Sequence, residues 1–200
     1  MKILSFLALS TIIATPAFAE ETRELSSHEH GVGQLDIAID GSQVAMELHA
    51  PGADIVGFEY MAESTEDIAK VDAALMVLAQ PLDLFGVPDA AQCTVVEAKA
   101  ELESEGDHDE HGDEDNEGED HDDHGEEGHD DHEDEASHTE FHAEYLLECG
   151  DIAALNEISF PYFAAFPNAL EVEVQVISDT GATAFEVERE APMLDLSDLN

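Results

Sequence analysis

Basic residues are scarce in this chain: 5 Lys and Arg stand against 50 Asp and Glu, a net charge of -45 at pH 7. None lies between Lys99 and Arg189. That shortage excludes nucleic acid as a partner, because its phosphates would be repelled at every approach, and it disfavours anionic membrane surfaces in the same way. Cations and basic protein surfaces are what such a field attracts. No segment after the first residues approaches the roughly 18 consecutive apolar residues that span a bilayer. Only two cysteines are present, Cys93 and Cys149, and neither has the CxxC or CxxH neighbour of a cysteine-built metal site. Enzyme signatures are missing as well. An HExxH helix is excluded because His132-Glu133 is followed by Ala136 where the second His is required. There is no Gly-rich phosphate loop and no nucleophile elbow, so the chain does not read as an enzyme.

What is abundant sits in one stretch. From Glu103 to Thr139 the sequence is almost entirely Asp, Glu, Gly and His, with no aliphatic residue larger than Ala and no aromatic between Gly106 and Ala136. Too little apolar area is available there to offset about 1 to 2 kcal/mol of backbone entropy per ordered residue. Residues 104–138 are therefore expected to form a disordered insert. Three His pairs recur in it at one spacing, His108 with His111, His121 with His124 and His129 with His132, and His138 and His142 follow. Imidazole is a common ligand for zinc, copper and nickel, and the carboxylates around it supply oxygen donors. Each His-x-x-His pair could give two imidazoles, with Asp, Glu, water or a second pair completing a tetrahedral set. Several Zn2+ ions per chain are expected, with other divalent metals possible.

Residues 1–19 read as a secretory signal: Lys2, an apolar run from Ile3 to Ala14, and the small-residue cleavage site Ala17-Phe18-Ala19. Cleavage is expected after Ala19, with a bacterial periplasm as destination. That compartment is oxidising, so Cys93 and Cys149 are expected to be joined. Closing about 57 residues would contribute at most roughly 4 kcal/mol, and the bridge is expected to staple the base of the insert.

The rest reads as a single α+β domain over residues 34–200, an antiparallel sheet of hairpins with one clear helix. A flexible leader, residues 20–33, carries His28 and His30. Gln34–Asp40 and Gln43–Ala50 alternate around the turn signal Asp40-Gly41, which puts Glu47 and His49 on the solvent side. A helix capped at Ser64 or Thr65 should bury Ile68, Val71, Leu75 and Leu78. Gln92–Leu102 and His138–Cys149 read as strands flanking the insert. Along a strand, residues four apart are separated by about 13 Å, so His138 and His142 need separate partners to bind metal. Placing Cys93 opposite Cys149 in simple register would bury Glu97 and Lys99, which predicts a bulge or an offset register. An aromatic cluster around Phe160–Phe166 should close the core, and a last hairpin crosses Asp179–Gly181. His28, His30 and His49 are candidates for an ordered site within the fold.

Four features together resemble the ZrgA-like zinc-uptake family: His28-Glu29-His30-Gly31, the run Pro51-Gly52-Ala53-Asp54-Ile55-Val56-Gly57-Phe58-Glu59, the cysteine pair, and Phe160-Pro161. In that family a His commonly follows the Phe-Glu, where this chain has Tyr60. The resemblance implies periplasmic zinc binding in support of import, with a zinc ABC importer or its binding protein as partner. Two other readings of the tract stay open: a nickel or copper chaperone or buffer, and an acidic linker or calcium buffer with no specific transition-metal role.

Overall fold

The computed structural model describes residues 29–104 and 138–197. The segment expected to be a signal, the leader up to His28, and His108, His111, His121, His124, His129 and His132 lie outside the described residues. β1 (Val32–Asp40) and β2 (Gln43–Pro51) form the first hairpin, paired from Gln34 opposite His49 to Asp40 opposite Gln43. Gly41 makes the turn at a φ of 60°, where a side chain would be strained.

β2 leads directly into a single helical turn, α1 (Gly52–Ile55). Only glycine fits its start, because a Cβ at Gly52 would lie 2.6 Å from both the Phe58 carbonyl and the Thr139 hydroxyl. α2 (Thr65–Leu78) is the one long helix among the described residues. Ser64 caps it by accepting from the Asp67 N–H at 3.0 Å, and Glu66 and Asp67 complement the positive end of the helix dipole. Its buried face is Val71, Ala74 and Leu78. Ile68, expected in that stripe, is 44 % exposed, and Leu75 is only partly buried. The core covers the later turns of α2, so small Ala74 packs while the apolar residue in the first turn does not.

A second turn, α3 (Pro81–Leu84), precedes the two strands that flank the acidic tract, β3 (Cys93–Ser104) and β4 (Thr139–Cys149). Cys93 does stand opposite Cys149, and the register shifts between Val95 and Glu97. That bulge swings Lys99, Glu101 and Glu103 away from the core, the outcome demanded by the cost of burying charge. The Cys93–Cys149 bridge is formed. It does not staple the base of the insert, however. The ladder runs from Cys93 opposite Cys149 to Ser104 opposite Thr139, so the bridge and the point where residues 105–137 depart are at opposite ends, roughly 35 Å apart at strand rise.

Beyond β4 come β5 (Glu157–Ser159), α4 (Tyr162–Ala165), β6 (Glu171–Ser178), β7 (Gly181–Glu188) and β8 (Met193–Asp195). β8 pairs with β5 in a small second sheet. The main sheet has six strands in the order β3-β4-β2-β1-β6-β7. It is mixed, not purely antiparallel: β1 and β6 run parallel from Val32 opposite Glu171 to Ala38 opposite Ile177. Alternation marks which face of each strand is buried and carries no record of which distant strand it will join.

One face of the sheet packs Leu35, Ile37, Met46, Leu48, Phe141 and Val174 against the helices and an aromatic cluster of Phe85, Phe160, Tyr162, Phe163 and Phe166. Arg189 closes the loop above α4 by donating to the carbonyls of Phe163, Phe166 and Ala169. The opposite face, next to β3 and β4, holds the acidic and His residues.

Candidate metal centre

Period-two alternation places His49 on the outer face of β2 and His142 on the outer face of β4, and the antiparallel register sets them directly opposite each other. Glu101 of β3 stands opposite His142 on its other side. Direct cross-strand neighbours lie close enough for side chains to touch, and the two imidazoles stack with centroids 4.5 Å apart and planes 18° from parallel. Both rings turn Nε2 toward one carboxylate. Glu47 Oε1 is 3.2 Å from Nε2 of His49 and 3.0 Å from Nε2 of His142. The Nδ1 atoms face other carboxylates: Glu140 at 3.6 Å from His49, and Glu103 at 3.4 Å and Glu101 at 3.9 Å from His142. The neighbourhood is well covered for an outer face, with His142 7 % and Glu140 8 % exposed.

The charges explain why these groups stay together. A neutral imidazole has one N–H, yet each ring meets carboxylates at both nitrogens. The arrangement is satisfied by imidazolium or by a bound cation. Hydrogen bonding to Glu140 raises the His49 pKa above its ordinary value, against the opposing effect of burial. Burial would raise the Glu47 pKa, but hydrogen bonds from His49 and His142 outweigh it and hold the carboxyl below the ordinary range. Within the described residues two groups bring metal-ligating atoms within 4.8 Å of one another: Glu47 with His49 and His142, and Glu101 with Glu103 and His142. The first offers two imidazole nitrogens and a carboxylate oxygen, a set suited to zinc with one coordination position left open.

A second cluster lies where β1 and β4 begin. Glu59 is held at both oxygens, by Nε2 of His30 and Nδ1 of His138, each at 2.9 Å. The loop carrying His30 is fixed from below: Gly31, at a φ of 92°, donates its N–H to buried Asp54 at 2.8 Å. Burial raises the Asp54 pKa, partly offset by that bond. The Thr139 N–H donates to the Glu59 carbonyl at 2.9 Å, which sets His138 beside the same carboxylate. His30-Gly31, Asp54 and Glu59, three landmarks distant in sequence, thus meet in one place. The two rings are 68 % and 50 % exposed and grip opposite oxygens, so this cluster is more open than the one on the sheet face.

Of the candidate ligands read from sequence, the structure pairs His49 with His142 and groups His30 with His138. His30 and His49 are not brought together: His30 lies in the loop before β1 beside Glu59, and His49 lies within β2 beside Glu47. Sequence reasoning passed over Glu47, Glu59, Glu101, Glu103 and Glu140. One signal was available: β2 carries Glu47-Leu48-His49 and β4 carries Glu140-Phe141-His142, the same Glu-x-His on two alternating strands.

No curated protein matches this chain in sequence. The Cys93–Cys149 bridge suits a compartment outside the cytoplasm, and no helix among the described residues is long and apolar enough to cross a membrane. The profile describing ZrgA family zinc uptake proteins matches residues 27–196, a span that includes both clusters and the whole sheet. This is a family of uptake proteins and not of enzymes. The chain belongs to the ZrgA family of zinc uptake proteins.

Proposed function

We propose that this protein captures Zn2+ in the periplasm and holds it for a zinc importer, with the sheet-face centre as the ordered position and the acidic His-rich tract as a reservoir around it. The single observation that carries this reading is the convergence of His49 Nε2 and His142 Nε2 on the Glu47 carboxylate. Those three side chains are the protein ligands. The fourth position stays free for water, for a donor from the tract or for a group of the partner that takes the ion away. An open position is what a carrier requires, since a closed four-ligand site releases zinc slowly. The acidic surface raises the local concentration of cations. Cargo reaches the importer, or the importer's binding protein, by exchange at that open position.

The test is zinc titration against a competing chelator on the secreted protein, on a version lacking Gly106 to Ala136, and on H49Q and H142Q. The tightest binding survives the deletion and is lost in either substitution, while the deletion removes most of the stoichiometry. Loss of all binding on deletion, with H49Q and H142Q unchanged, would place capture wholly in the tract and sink the ordered centre. Repeating the titration with nickel and copper separates a zinc carrier from a general transition-metal buffer.

A further inference from the structure

His142 can serve a cation on either side. Its Nε2 faces Glu47 and His49, and its Nδ1 faces Glu103 and Glu101. The same duality holds for His49, with Glu47 at Nε2 and Glu140 at Nδ1. The two rings agree: Nε2 converges on one shared carboxylate and Nδ1 diverges toward a carboxylate of its own. Two rings that share a ligand atom on one side and have separate acceptors on the other are arranged for one ion, with the remaining nitrogens kept protonated.

We propose that Glu140 and Glu103 are positioning residues of the centre. Each accepts the Nδ1–H of one ring, fixing the tautomer that leaves both Nε2 lone pairs free for the metal. This rests on the reading of Glu47, His49 and His142 as ligands. Ligating imidazoles generally donate their other N–H to such an acceptor, which orients the ring and raises its basicity. The assignment also explains two features of the strands. Glu103 and Glu140 are direct cross-strand partners, and like charges so placed repel; an N–H directed at each carboxylate relieves that repulsion. Glu140 is 8 % exposed on the outer face of the sheet, where a carboxylate without a specific donor would turn to water. The pair is also the next to last of the ladder before residues 105–137 depart, so the support of the centre is built into the root of the acidic tract.

The experiment is nitrogen NMR of the imidazoles in the full secreted chain labelled with 15N-histidine, with His49 and His142 assigned through H49Q and H142Q. On zinc loading, both rings show a metal-bound Nε2 and a protonated Nδ1. In E140L and in E103L, zinc affinity at the corresponding ring falls roughly 10- to 100-fold, the range for losing such a partner. E140Q and E103Q, whose amide oxygen still accepts the N–H, retain the tautomer and most of the affinity, and they guard against a Leu variant that fails to fold. Metal bound through Nδ1 of His142 would overturn the positioning role and assign Glu101 and Glu103 as ligands instead. Leu variants that bind zinc as the parent does would also overturn it. If zinc leaves both rings unchanged in the parent protein, the centre itself is wrong and the positioning role falls with it.

Discussion

Zinc should stabilise the folded domain more at pH 7.5 than at pH 5.5, and the difference can be estimated from His49. An ion that binds only the folded chain contributes RT ln(1 + [Zn]/Kd), about 2.7 kcal/mol at a hundredfold excess over Kd. His pairs three residues apart in sequence can meet an ion whether or not the chain is folded, so the ions they take largely cancel and the melting shift reports the folded centre. The ordinary imidazole value is 6.5 and that of His49 lies above it. At pH 5.5 the ring is therefore at least about nine-tenths protonated, and apparent affinity falls at least about tenfold, or about 1.4 kcal/mol. Glu47 has its pKa lowered from 4.5 and remains ionised throughout this window, so it adds no competition. For a domain of this size the zinc-induced rise in Tm is roughly 10 °C at pH 7.5 and roughly 5 °C or less at pH 5.5. Without metal the His49 effect runs the other way. A His whose folded pKa is raised contributes stability below its unfolded value of about 6.5, and that stability is lost as pH rises through the folded pKa. Calorimetric melts at fixed free zinc, at both pH values, on the parent and on H49Q, measure all of this. A zinc increment equal at the two pH values, or larger at pH 5.5, would refute the imidazole-ligand reasoning; H49Q should flatten the dependence.

Three further outcomes rest on other parts of the fold. Replacing Cys93 and Cys149 by Ser removes a cross-link spanning 56 positions in sequence and should lower unfolding free energy in denaturant melts by up to about 4 kcal/mol, with zinc binding at low temperature retained because the bridge lies at the far end of the ladder from the centre. Ser64→Ala removes the acceptor for the Asp67 N–H and should cost about 1 kcal/mol, read as a shift in denaturation midpoint without a change in zinc affinity. Asp54→Ala leaves the Gly31 N–H without its acceptor and should cost about 1 to 3 kcal/mol, with the His30 resonance moving in NMR spectra as its loop loosens.

Much of the fold was legible because its physical cause is local. Alternation marked β1 and β2, the turn at Asp179–Gly181 placed the hairpin of β6 and β7, and the Ser64 cap marked the start of the long helix. The conflict between the cysteine register and the charges of Glu97 and Lys99 called for a bulge or an offset register, and the ladder resolves it by a bulge. The parallel pairing of β1 with β6 was illegible, since a strand's pattern records which face is buried and not which remote edge it joins. Ile68 was misplaced for a related reason: helical spacing gives a direction around the axis, whereas the depth of packing along that axis depends on where the core ends. The candidate centre was half legible. His49 and His142 were both named as candidates, but their partnership required the β2–β4 register, which depends on the two strands meeting across the intervening chain.

The amino-acid sequence by itself determined the chemistry available to this protein: a surplus of carboxylates, imidazoles of the type that ligate transition metals, and two cysteines fit to be joined. Those properties follow from side-chain type and survive any arrangement of the chain. Only the tertiary structure decided which imidazoles lie together. Pairing β2 with β4 brought His49 against His142 with Glu47 between their Nε2 atoms, and the bulge in β3 turned Glu101 and Glu103 onto the same face. A ligand set depends on distances of a few ångströms between residues far apart in sequence, and those distances are fixed by strand register, which no local run of residues encodes.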